Sequence, residues 1–406
     1  MISNSIFKNT FLLVALSFFS CGNSAVVVKN TGTTTPSSPA VVIQSQIMTG
    51  ADQIVSYKKL LDNKKIGVVT NQTGLLTNGA HLVDVLLAHE IEVKKIYAPE
   101  HGFRGTADAG ELVKDGKDSK TGLPIISLYG NNKKPNPAQL KDIDVMVFDL
   151  QDVGARFYTY ISSLHYIMEA CAEQGIELIV LDRPNPIGAA VDGPILEMEH
   201  HSFVGMHPIP TLHGMTIGEY AKMINGEKWL AQGVEAKLTV VPCKNYSKNM
   251  EYNVMVNPSP NLPNPQSIKL YASLCFFEGT NVSVGRGTDK QFQIYGAPNL
   301  KNMPYSFTPM PNNGAKDPMH NGKKCYGEDL STISFKGGLD LTWLIKAYQN
   351  SGDQEKFFNN FFTKLAGTKK LQQQITSGMS AEEIKATWKP GLNAFKKVRA
   401  KYLIYN

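Results

Sequence analysis

Short apolar runs alternate with amphipathic stretches through the first half of the chain, and this alternation predicts an α/β fold. The predicted strands are residues 66–70, 93–98, 124–129, 145–150 and 176–181. Two stretches with a helical spacing of apolar residues lie between them, 80–89 and 157–174, and Gly175 suits a C-cap for the second. Because strands that alternate with helices pair in parallel, we predict a Rossmann-like, mostly parallel sheet flanked by helices.

The pattern changes after Val191, and a second, smaller α+β domain is predicted to follow. Thr216 and Glu219 form a capping box for a helix over 216–224, and residues 237–241 suit a strand that closes the first domain. Beyond Cys243 the chain is richer in Asn, Pro and aromatic residues, and helical stretches return at 354–366 and 381–388. We therefore predict a Rossmann-like catalytic domain over 46–242 and a second α+β domain over 243–406 that forms one wall of a cleft.

Residues 1–45 have the features of an export signal and a tether. Lys8 precedes an apolar run over 11–19 that is too short to span a bilayer, which is typical of a cleaved signal peptide, here over 1–20. We predict cleavage before Cys21, lipidation of Cys21 and a tether over 21–45 that contains a run of Thr, Ser and Pro. The alternative is an ordinary secretory signal with an incidental cysteine. Both predict an exported protein, and the first predicts a periplasmic or cell-surface lipoprotein.

Polar residues directly follow each of the predicted strands. Because the carboxyl ends of parallel strands share one edge of a sheet, we predict that these sequence-distant clusters converge on one ligand-binding cleft. The clusters contain Asn71 and Gln72; Glu100, His101 and Arg104; Tyr129; Asp149, Gln151, Asp152 and Arg156; and Asp182, Arg183 and Asn185.

Composition and short motifs narrow the chemistry of this cleft. The 41 basic residues include five arginines, and the lysines are scattered rather than clustered on a basic face, so no nucleic-acid partner is predicted. Neither G-x-G-x-x-G after a strand nor G-x-x-x-x-G-K-[ST] occurs, which argues against a nucleotide cofactor, and no G-x-S-x-G elbow marks a serine hydrolase. No C-x-x-C pair or H-E-x-x-H is present, so no metal is predicted, although His101, His207 and His213 leave a metal site open.

Carboxylates predominate at the edge of the predicted cleft. They are Glu100, Asp149, Asp152 and Asp182, with Glu278 from the second domain. Two carboxylates across a polar, aromatic-lined cleft are the working parts of glycoside hydrolysis. Structural roles are the alternative. Asp149 and Asp182 would cap a turn or helix, and Asp152 would cap the helix near Phe157. Arg156 would pair with Asp149 or Asp152, and Glu278 would bond to the backbone of its own turn.

Several motifs occur in a fixed order along the chain. They are NQTG at 71–74, PEHGFRG at 99–105, DLQDVGARFYTY at 149–160, DRPNP at 182–186, LHGMT at 212–216, FEGTN at 277–281 and GRGT at 285–288. Through these motifs the sequence resembles the bacterial exo-β-N-acetylmuramidases, a family once described only as a domain of unknown function. The resemblance implies a Rossmann-like first domain, a smaller second domain and a cleft between them. It also implies release of N-acetylmuramic acid from the non-reducing ends of peptidoglycan fragments, without nucleotide or metal.

The resemblance and the residue chemistry together predict site roles. Glu100 is the predicted general acid, and His101 is predicted to position Glu100 or a hydroxyl. One of the other carboxylates is predicted to orient water, act as nucleophile or polarise the substrate's acetamido group. The candidates are Asp149, Asp152 and Glu278. N-acetylmuramic acid carries a lactyl carboxylate, which the planar fork of one or two of the arginines in these motifs would hold. The predicted substrate-binding residues are Asn71, Gln72, Arg104, Gln151, Arg156, Tyr158, Tyr160, Asp182, Arg183, Asn185, His213, Asn281 and Arg286.

Two other functions would use the same cleft. A non-catalytic cell-wall glycan-binding lipoprotein would hold muramyl saccharides with the same tyrosines and arginines, and an esterase or amidase would act on the muramyl lactyl-peptide side. In each case the predicted partners are peptidoglycan-derived muramyl saccharides, with the membrane contacted only through a lipid anchor at Cys21.

Overall fold

The computed structural model describes residues 46–103 and 115–406. Its strands are β1 Lys65–Thr70, β2 Glu92–Ala98, β3 Gly116–Lys117, β4 Pro124–Ser127, β5 Val145–Asp149, β6 Glu177–Leu181, β7 Val191–Asp192, β8 Leu212–His213, β9 Leu238–Val241, β10 Ile294–Ala297, β11 Tyr305–Phe307 and β12 Cys325–Asp329. Its α-helices are α1 Ile54–Leu61, α2 Leu82–Ala88, α3 Pro137–Leu140, α4 Tyr160–Gln174, α5 Ile217–Gly226, α6 Pro265–Leu274, α7 Thr342–Asn350, α8 Asn360–Ala366, α9 Lys370–Thr376 and α10 Ala381–Arg399. Short 3₁₀ helices lie at Ala51–Gln53, Met198–His200, Ala231–Gly233, Cys275–Gly279 and Gln354–Lys356.

The largest sheet has the winding of a Rossmann-like fold. Within the described residues its seven strands run in the order β3-β4-β2-β1-β5-β6-β9, and all neighbours are parallel except β3 and β4. The chain passes from β1 outward to β4, then returns to β5 beside β1 and proceeds outward to β9. Because the winding reverses between β1 and β5, their carboxyl ends flank the crevice where such sheets bind ligands. The predicted fold class is confirmed.

Helices cover both faces of this sheet. Successive residues of β5 alternate between two apolar clusters: Met146 and Phe148 pack with residues of α4 and α5, whereas Val145 and Val147 pack with residues of α1 and α2. This alternation follows from the two-residue period of a strand. Burial on both faces explains why the central strands are continuously apolar in sequence.

The second half of the chain has a small antiparallel sheet in the order β10-β12-β11, together with α6 to α10. This arrangement agrees with the predicted α+β class of that segment. None of the helices within the described ranges has the length and apolar character needed to cross a membrane.

Three helix boundaries differ from the prediction. The helix predicted from residue 157 begins at Tyr160, and the one predicted over 354–366 is interrupted because Asn359 is extended and caps α8 by accepting from the Phe361 N–H at 2.8 Å. The helix predicted to end at residue 388 continues to Arg399 through Pro390. Apolar burial continues past the proline, at Leu392 and Phe395, and it outweighs the missing backbone N–H.

The C-terminal residues pack against the Rossmann-like part. The backbone N–H groups of Ile404 and Tyr405 donate to Glu219 Oε1 at 2.8 and 3.1 Å, and Lys248 Nζ lies 2.7 Å from the same carboxylate. The described residues belong to one compact unit. The predicted domain boundary at residue 243 stays a prediction.

Asp182, which follows β6, joins three elements instead of facing a cleft. Its carboxylate accepts hydrogen bonds from Thr216 Oγ1 at 2.7 Å, from the Gly218 N–H at 2.8 Å and from the Tyr405 hydroxyl at 2.7 Å. The side chain has no exposed surface. These contacts give Asp182 a structural role, and its predicted contact with substrate stays a prediction. Burial raises the pKa of Asp182 from 3.8 to about 6, although the three hydrogen bonds act in the opposite direction.

Asp182→Asn is expected to change how stability depends on pH. In the wild type, the native state holds the Asp182 proton more tightly than the unfolded chain between pH 3.8 and about 6. The free energy of unfolding therefore falls as the pH rises through this window, by up to about 3 kcal/mol from this one group. Urea unfolding of both proteins from pH 4 to pH 7 checks this. The difference in free energy of unfolding, wild type minus variant, should fall toward pH 7. If the free energies of the two proteins changed in parallel with pH, the role of Asp182 would be contradicted.

Candidate active site

A cavity of about 630 Å³ opens where β2, β4 and β5 end. From the Rossmann-like part it is lined by Glu100, His101, Tyr129, Phe157, Tyr158, Thr159, Tyr160, Phe203 and Val204. From the second half it is lined by Ser259, Asn261, Leu262, Tyr271, Glu278, Arg286, Phe292, Phe361 and residues 314–319. The predicted substrate-facing residues that line it are therefore Glu100, His101, Tyr158, Tyr160, Glu278 and Arg286.

A tight turn after β2 presents Glu100 and His101 to the cavity. The Gly102 N–H donates to the Pro99 carbonyl at 3.0 Å, and the backbone of both His101 (φ 73°) and Gly102 (φ 72°) is left-handed. A left-handed histidine is uncommon, and such backbone strain concentrates at functional sites. Arg104, the remaining charged residue of this motif, lies outside the described residues.

The Glu100 carboxylate contacts the start of α4. Thr159 Oγ1 donates to Glu100 Oε2 at 3.1 Å. The tyrosines on either side of Thr159 are held at their hydroxyls: Tyr160 accepts from Asn71 Nδ2 at 2.6 Å, and Tyr158 donates to the Pro258 carbonyl at 2.7 Å. The segment that meets Glu100 is therefore fixed from both halves of the chain.

Glu278 and Arg286 form an ion pair on the cavity wall. Arg286 Nε and Nη2 each lie 2.7 Å from Glu278 Oε1, and the guanidinium also lies 5.1 Å from the centre of the Phe292 ring. The second carboxylate oxygen, Oε2, is 3.6 Å from the Cys275 sulfur. Both charged side chains are partly exposed, at 25% for Glu278 and 24% for Arg286, so a ligand can reach them.

Asp149 and Arg183 pair with each other at the reversal point of the sheet. Arg183 Nε and Nη2 donate to Asp149 Oδ1 and Oδ2 at 2.6 and 2.9 Å, and Nη2 also donates to the Leu75 carbonyl at 3.1 Å. Both side chains are buried and neither lines the cavity. The bidentate pair lies in the crevice after β5. The catalytic role of Asp149 and the substrate-binding role of Arg183 stay predictions.

Arg156 is buried without an acidic partner among the described residues. Its guanidinium donates to carbonyl oxygens at 2.7 to 2.9 Å, namely those of Pro194, Ile209, Leu365 and Ala366. Burial lowers the pKa of Arg156 to about 9, which still leaves it charged at neutral pH. The Arg156 guanidinium binds backbone carbonyls in this structure, and its substrate-binding role stays a prediction.

The other polar residues after β5 and β6 converge as predicted, but beneath the cavity wall. Asp152 Oδ2 accepts from the Gly154 N–H at 2.7 Å and lies 3.6 Å from His213 Nε2. Gln151 Nε2 donates to the carbonyls of Asp152 and Pro184, both at 2.8 Å, and Asn185 Nδ2 donates to the Met215 carbonyl at 3.1 Å. Asp152, Gln151, Asn185 and His213 are buried and support the loops instead of lining the cavity.

The remaining predicted binding residues also have structural partners. Asn71 is buried and contacts Tyr160 as described above, and Gln72 Nε2 donates to the Asn257 carbonyl at 3.1 Å. The backbone carbonyl of Asn281 accepts from His320 Nε2 at 2.8 Å. None of these three residues lines the cavity.

The second half supplies lining residues that the sequence reasoning missed. Residues 314–319 belong to the connection between β11 and β12, which the Asn261 Nδ2 to Gly314 carbonyl bond (2.6 Å) holds in place. At Gly287 (φ 78°) a Cβ atom would lie 2.6 Å from the Met310 carbonyl and 2.7 Å from Pro318, so this connection packs tightly against the chain below it. The proline spacing over 257–265 was a signal for the fixed loop that carries Ser259 and Asn261.

The residues that could hold a metal ion lie elsewhere. In the described part of the chain, side chains converge closely enough for a metal at Glu197, Glu199 and His200. None of the three lines the cavity, and Glu197 is bonded to Lys370 Nζ at 2.7 Å and Thr368 Oγ1 at 2.9 Å.

Comparisons with solved structures support this fold. The chain is similar to two crystal structures of DUF1343 family proteins from Bacteroides fragilis NCTC 9343. One has a TM-score of 0.83 with 47% identity, and the other has a TM-score of 0.75 with 30% identity. In both cases the similarity covers 89% of this chain and 99% of the solved chain.

Sequence comparisons agree with the structural ones. A curated relative, the peptidoglycan beta-N-acetylmuramidase NamZ of Bacillus subtilis strain 168, is 40% identical over 390 residues, which is 89% of this chain and 92% of the relative. Residues 66–266 match the family model of the N-terminal part of the exo-beta-N-acetylmuramidase NamZ, and residues 269–405 match that of its C-terminal part. The chain belongs to the NamZ family of exo-β-N-acetylmuramidases.

Proposed function

We propose that this protein is an exo-acting glycoside hydrolase that releases N-acetylmuramic acid from the non-reducing ends of peptidoglycan fragments. The observation that carries the proposal is the cavity at the carboxyl edge of the sheet. Glu100 and Glu278, which come from opposite halves of the chain, both line it. Its volume of about 630 Å³ is in the range of small-molecule sites. The family relationship supports the same activity.

Glu100 is the proposed general acid, which protonates the glycosidic oxygen as the bond to the leaving sugar breaks. Glu278 is the proposed second carboxylate, because Asp149 and Asp152 do not line the cavity. Arg286 holds Oε1 of Glu278. The proposed task of Glu278 is to orient water, attack the anomeric carbon or polarise the acetamido group. His101, in its left-handed turn, positions the acid.

Arg286 is the proposed ligand of the lactyl carboxylate. Among the described arginines it is the one that lines the cavity, since Arg156 and Arg183 are buried against other partners and Arg399 Nη1 donates to the Gly214 carbonyl. Two of its nitrogens contact Glu278, and a guanidinium has five donor hydrogens, so donors remain for a substrate carboxylate. Phe292 beneath the guanidinium keeps its plane fixed.

The connection between β11 and β12 is the proposed reason for action at chain ends. Residues 314–319 form part of the cavity wall, and their anchoring at Asn261 and Gly287 makes that wall a fixed one. A wall at this position would admit the terminal sugar of a glycan chain and exclude a glycan that continues in both directions.

We also propose export and lipidation at Cys21, with the membrane contacted through that anchor. The support is the sequence of residues 1–21, which lie outside the described residues. The four cysteines within the described residues, Cys171, Cys243, Cys275 and Cys325, are buried and free.

Glu100→Gln should abolish turnover of a muramyl disaccharide, because the amide has the same size but donates no acidic proton. The expected loss in kcat is about 10²- to 10⁴-fold. On 4-nitrophenyl β-N-acetylmuraminide the loss should be much smaller, because nitrophenolate leaves without protonation. Glu278→Gln is the matched control and should lose activity on both substrates. Equal losses for Glu100→Gln on the two substrates would rule out the acid assignment.

Arg286→Lys should reduce discrimination between muramic and glucosamine glycosides. Lysine keeps the charge but loses the planar pair of donors, so kcat/KM should fall at least about tenfold further on the N-acetylmuraminide than on the N-acetylglucosaminide. The ratio of the two kcat/KM values is the measure, because any loss of activity caused by the altered ion pair with Glu278 affects both substrates. Arg399→Lys serves as the control and should leave the ratio unchanged. An unchanged ratio in Arg286→Lys would exclude a lactyl contact.

Cys21→Ser should prevent membrane attachment of the exported protein. Bacteria that express the full chain and are fed an alkyne-labelled fatty acid should label the wild type in the membrane fraction, because the thiol carries the acyl anchor. The variant should stay unlabelled, and Cys325→Ser should label as the wild type does. An unlabelled wild-type protein cleaved to a soluble form would favour the ordinary secretory signal.

A further inference from the structure

Thr159 occupies the N-cap position of α4 but does not cap the helix. Its backbone is helical (φ −74°, ψ −2°), whereas capping residues are normally extended, and within the described residues its side chain makes no capping hydrogen bond. The Thr159 hydroxyl instead donates to Glu100 Oε2 at 3.1 Å. Helix α4 therefore lacks the usual capping hydrogen bond at its first turn, and the Thr159 hydroxyl binds the Glu100 carboxylate instead.

Other helices of this protein use the same residue types as ordinary caps. Thr216 is extended (ψ 167°) and its hydroxyl accepts from the Glu219 N–H at 3.3 Å, and the N-caps of α6 and α10, Asn264 and Ser380, form capping boxes in the same way. The chain therefore uses such residues to cap helices, and the Thr216 hydroxyl caps α5 even though it also donates to Asp182 at 2.7 Å. The diverted hydroxyl at Thr159 needs a separate explanation.

The position of Thr159 is fixed by neighbours on both sides. Arg156, three residues earlier, is buried and its N–H donates to the Thr211 carbonyl at 2.8 Å. The Thr159 carbonyl accepts from the N–H groups of Ser162 and Ser163 at 3.0 and 2.9 Å, which ties it to the helix that follows. A hydroxyl on so restrained a backbone holds its acceptor in one place.

We propose that Thr159 is a positioning residue for the reaction, an inference that rests on the proposed role of Glu100 as general acid. Thr159 holds Oε2 and thereby fixes the orientation of the carboxyl group that protonates the glycosidic oxygen. When the carboxyl proton moves to the oxygen of the breaking bond, Glu100 becomes a carboxylate. The Thr159 hydrogen bond then becomes charge-assisted, and the N-terminal end of α4 favours the new negative charge. The contact therefore strengthens toward the transition state, which is the condition for raising kcat.

Among the described residues, the charged and titratable groups that share the cavity with Glu100 and Thr159 are His101, Tyr129, Tyr158, Tyr160, Tyr271, Glu278, Arg286, Lys316 and Asp317. None of them is altered by substitution of Thr159. A change in the pH–rate profile of a Thr159 variant can therefore be assigned to the lost hydroxyl by comparison with the wild type.

Thr159→Val tests the proposal through kcat, the pH profile and the melting temperature. On a muramyl disaccharide kcat should fall about tenfold, while KM changes less than about twofold. The alkaline limb of the pH–kcat profile should move up by about one pH unit, because the ionised acid loses a hydrogen bond. The melting temperature should stay near that of the wild type, because no capping bond is lost. Thr159→Ser should restore both kcat and the profile.

Ser380→Ala is the matched control, because the Ser380 hydroxyl accepts from the Glu383 N–H at 3.2 Å as the N-cap of α10. It removes a true capping hydroxyl, so its melting temperature should fall while the alkaline limb stays in place. The proposal would be overturned if Thr159→Val had the kcat and the pH profile of the wild type. It would also be overturned if Thr159→Val had a lowered melting temperature while the alkaline limb of its pH–kcat profile did not move. If the valine variant does not fold, Thr159→Ala decides by the same readings.

Glu100→Gln, measured in parallel, separates this inference from the proposed function. If Glu100→Gln is inactive while Thr159→Val equals the wild type, the positioning role alone fails. If Glu100→Gln keeps wild-type activity on the disaccharide, the assignment of the acid fails and this inference fails with it.

Discussion

The cavity depends on one buried cation. The Arg156 guanidinium donates to the Leu365 and Ala366 carbonyls, the last two of α8, where the helix dipole favours positive charge. Phe361 of the same helix lines one side of the cavity, and residues 157–160, which directly follow Arg156, line another. The guanidinium thus holds two walls together. Removing it would leave several buried carbonyl groups without partners, a costly change in a protein interior.

The two proposed catalytic carboxylates, Glu100 and Glu278, have different surroundings, as glycoside hydrolysis requires of its two groups. Glu278 lies against the guanidinium of Arg286, with two nitrogens 2.7 Å from Oε1. Glu100 lies in a turn of strained backbone and accepts from the hydroxyl of Thr159. The ion pair orients Glu278, and the Thr159 hydroxyl orients one oxygen of Glu100.

The sequence was sufficient for the sheet and for the edge at which the site forms. The alternation of apolar runs predicted β1, β2, β5 and β6 closely, and strand ends converge because parallel strands share one direction. Sequence could not decide which polar residues face the cavity. Glu100 and Asp149 both follow strands, yet Asp149 is neutralised by Arg183 in the crevice after β5. A carboxylate at the end of a strand can either face the cavity or pair with a buried cation, and the sequence does not identify its partner.

The arginines illustrate the same limit. Their rarity among the basic residues correctly indicated special uses, but a planar fork fits backbone carbonyls, an aspartate and a substrate carboxylate equally well. Arg156 binds backbone carbonyls and Arg183 binds an aspartate. Among the arginines that the structure describes, Arg286 lines the cavity, and it is the one proposed to bind a substrate carboxylate. The wall over 314–319 was missed because its form depends on long-range bonds to Asn261 and Gly287. Local pattern contains no information about such partners.

The most direct test of the account is product analysis on two defined disaccharides by mass spectrometry. One carries N-acetylmuramic acid at its non-reducing end and N-acetylglucosamine at the other, and the second has the reverse order. The account predicts release of free N-acetylmuramic acid from the first and no cleavage of the second. Cleavage of both at similar rates, or of neither, would contradict it.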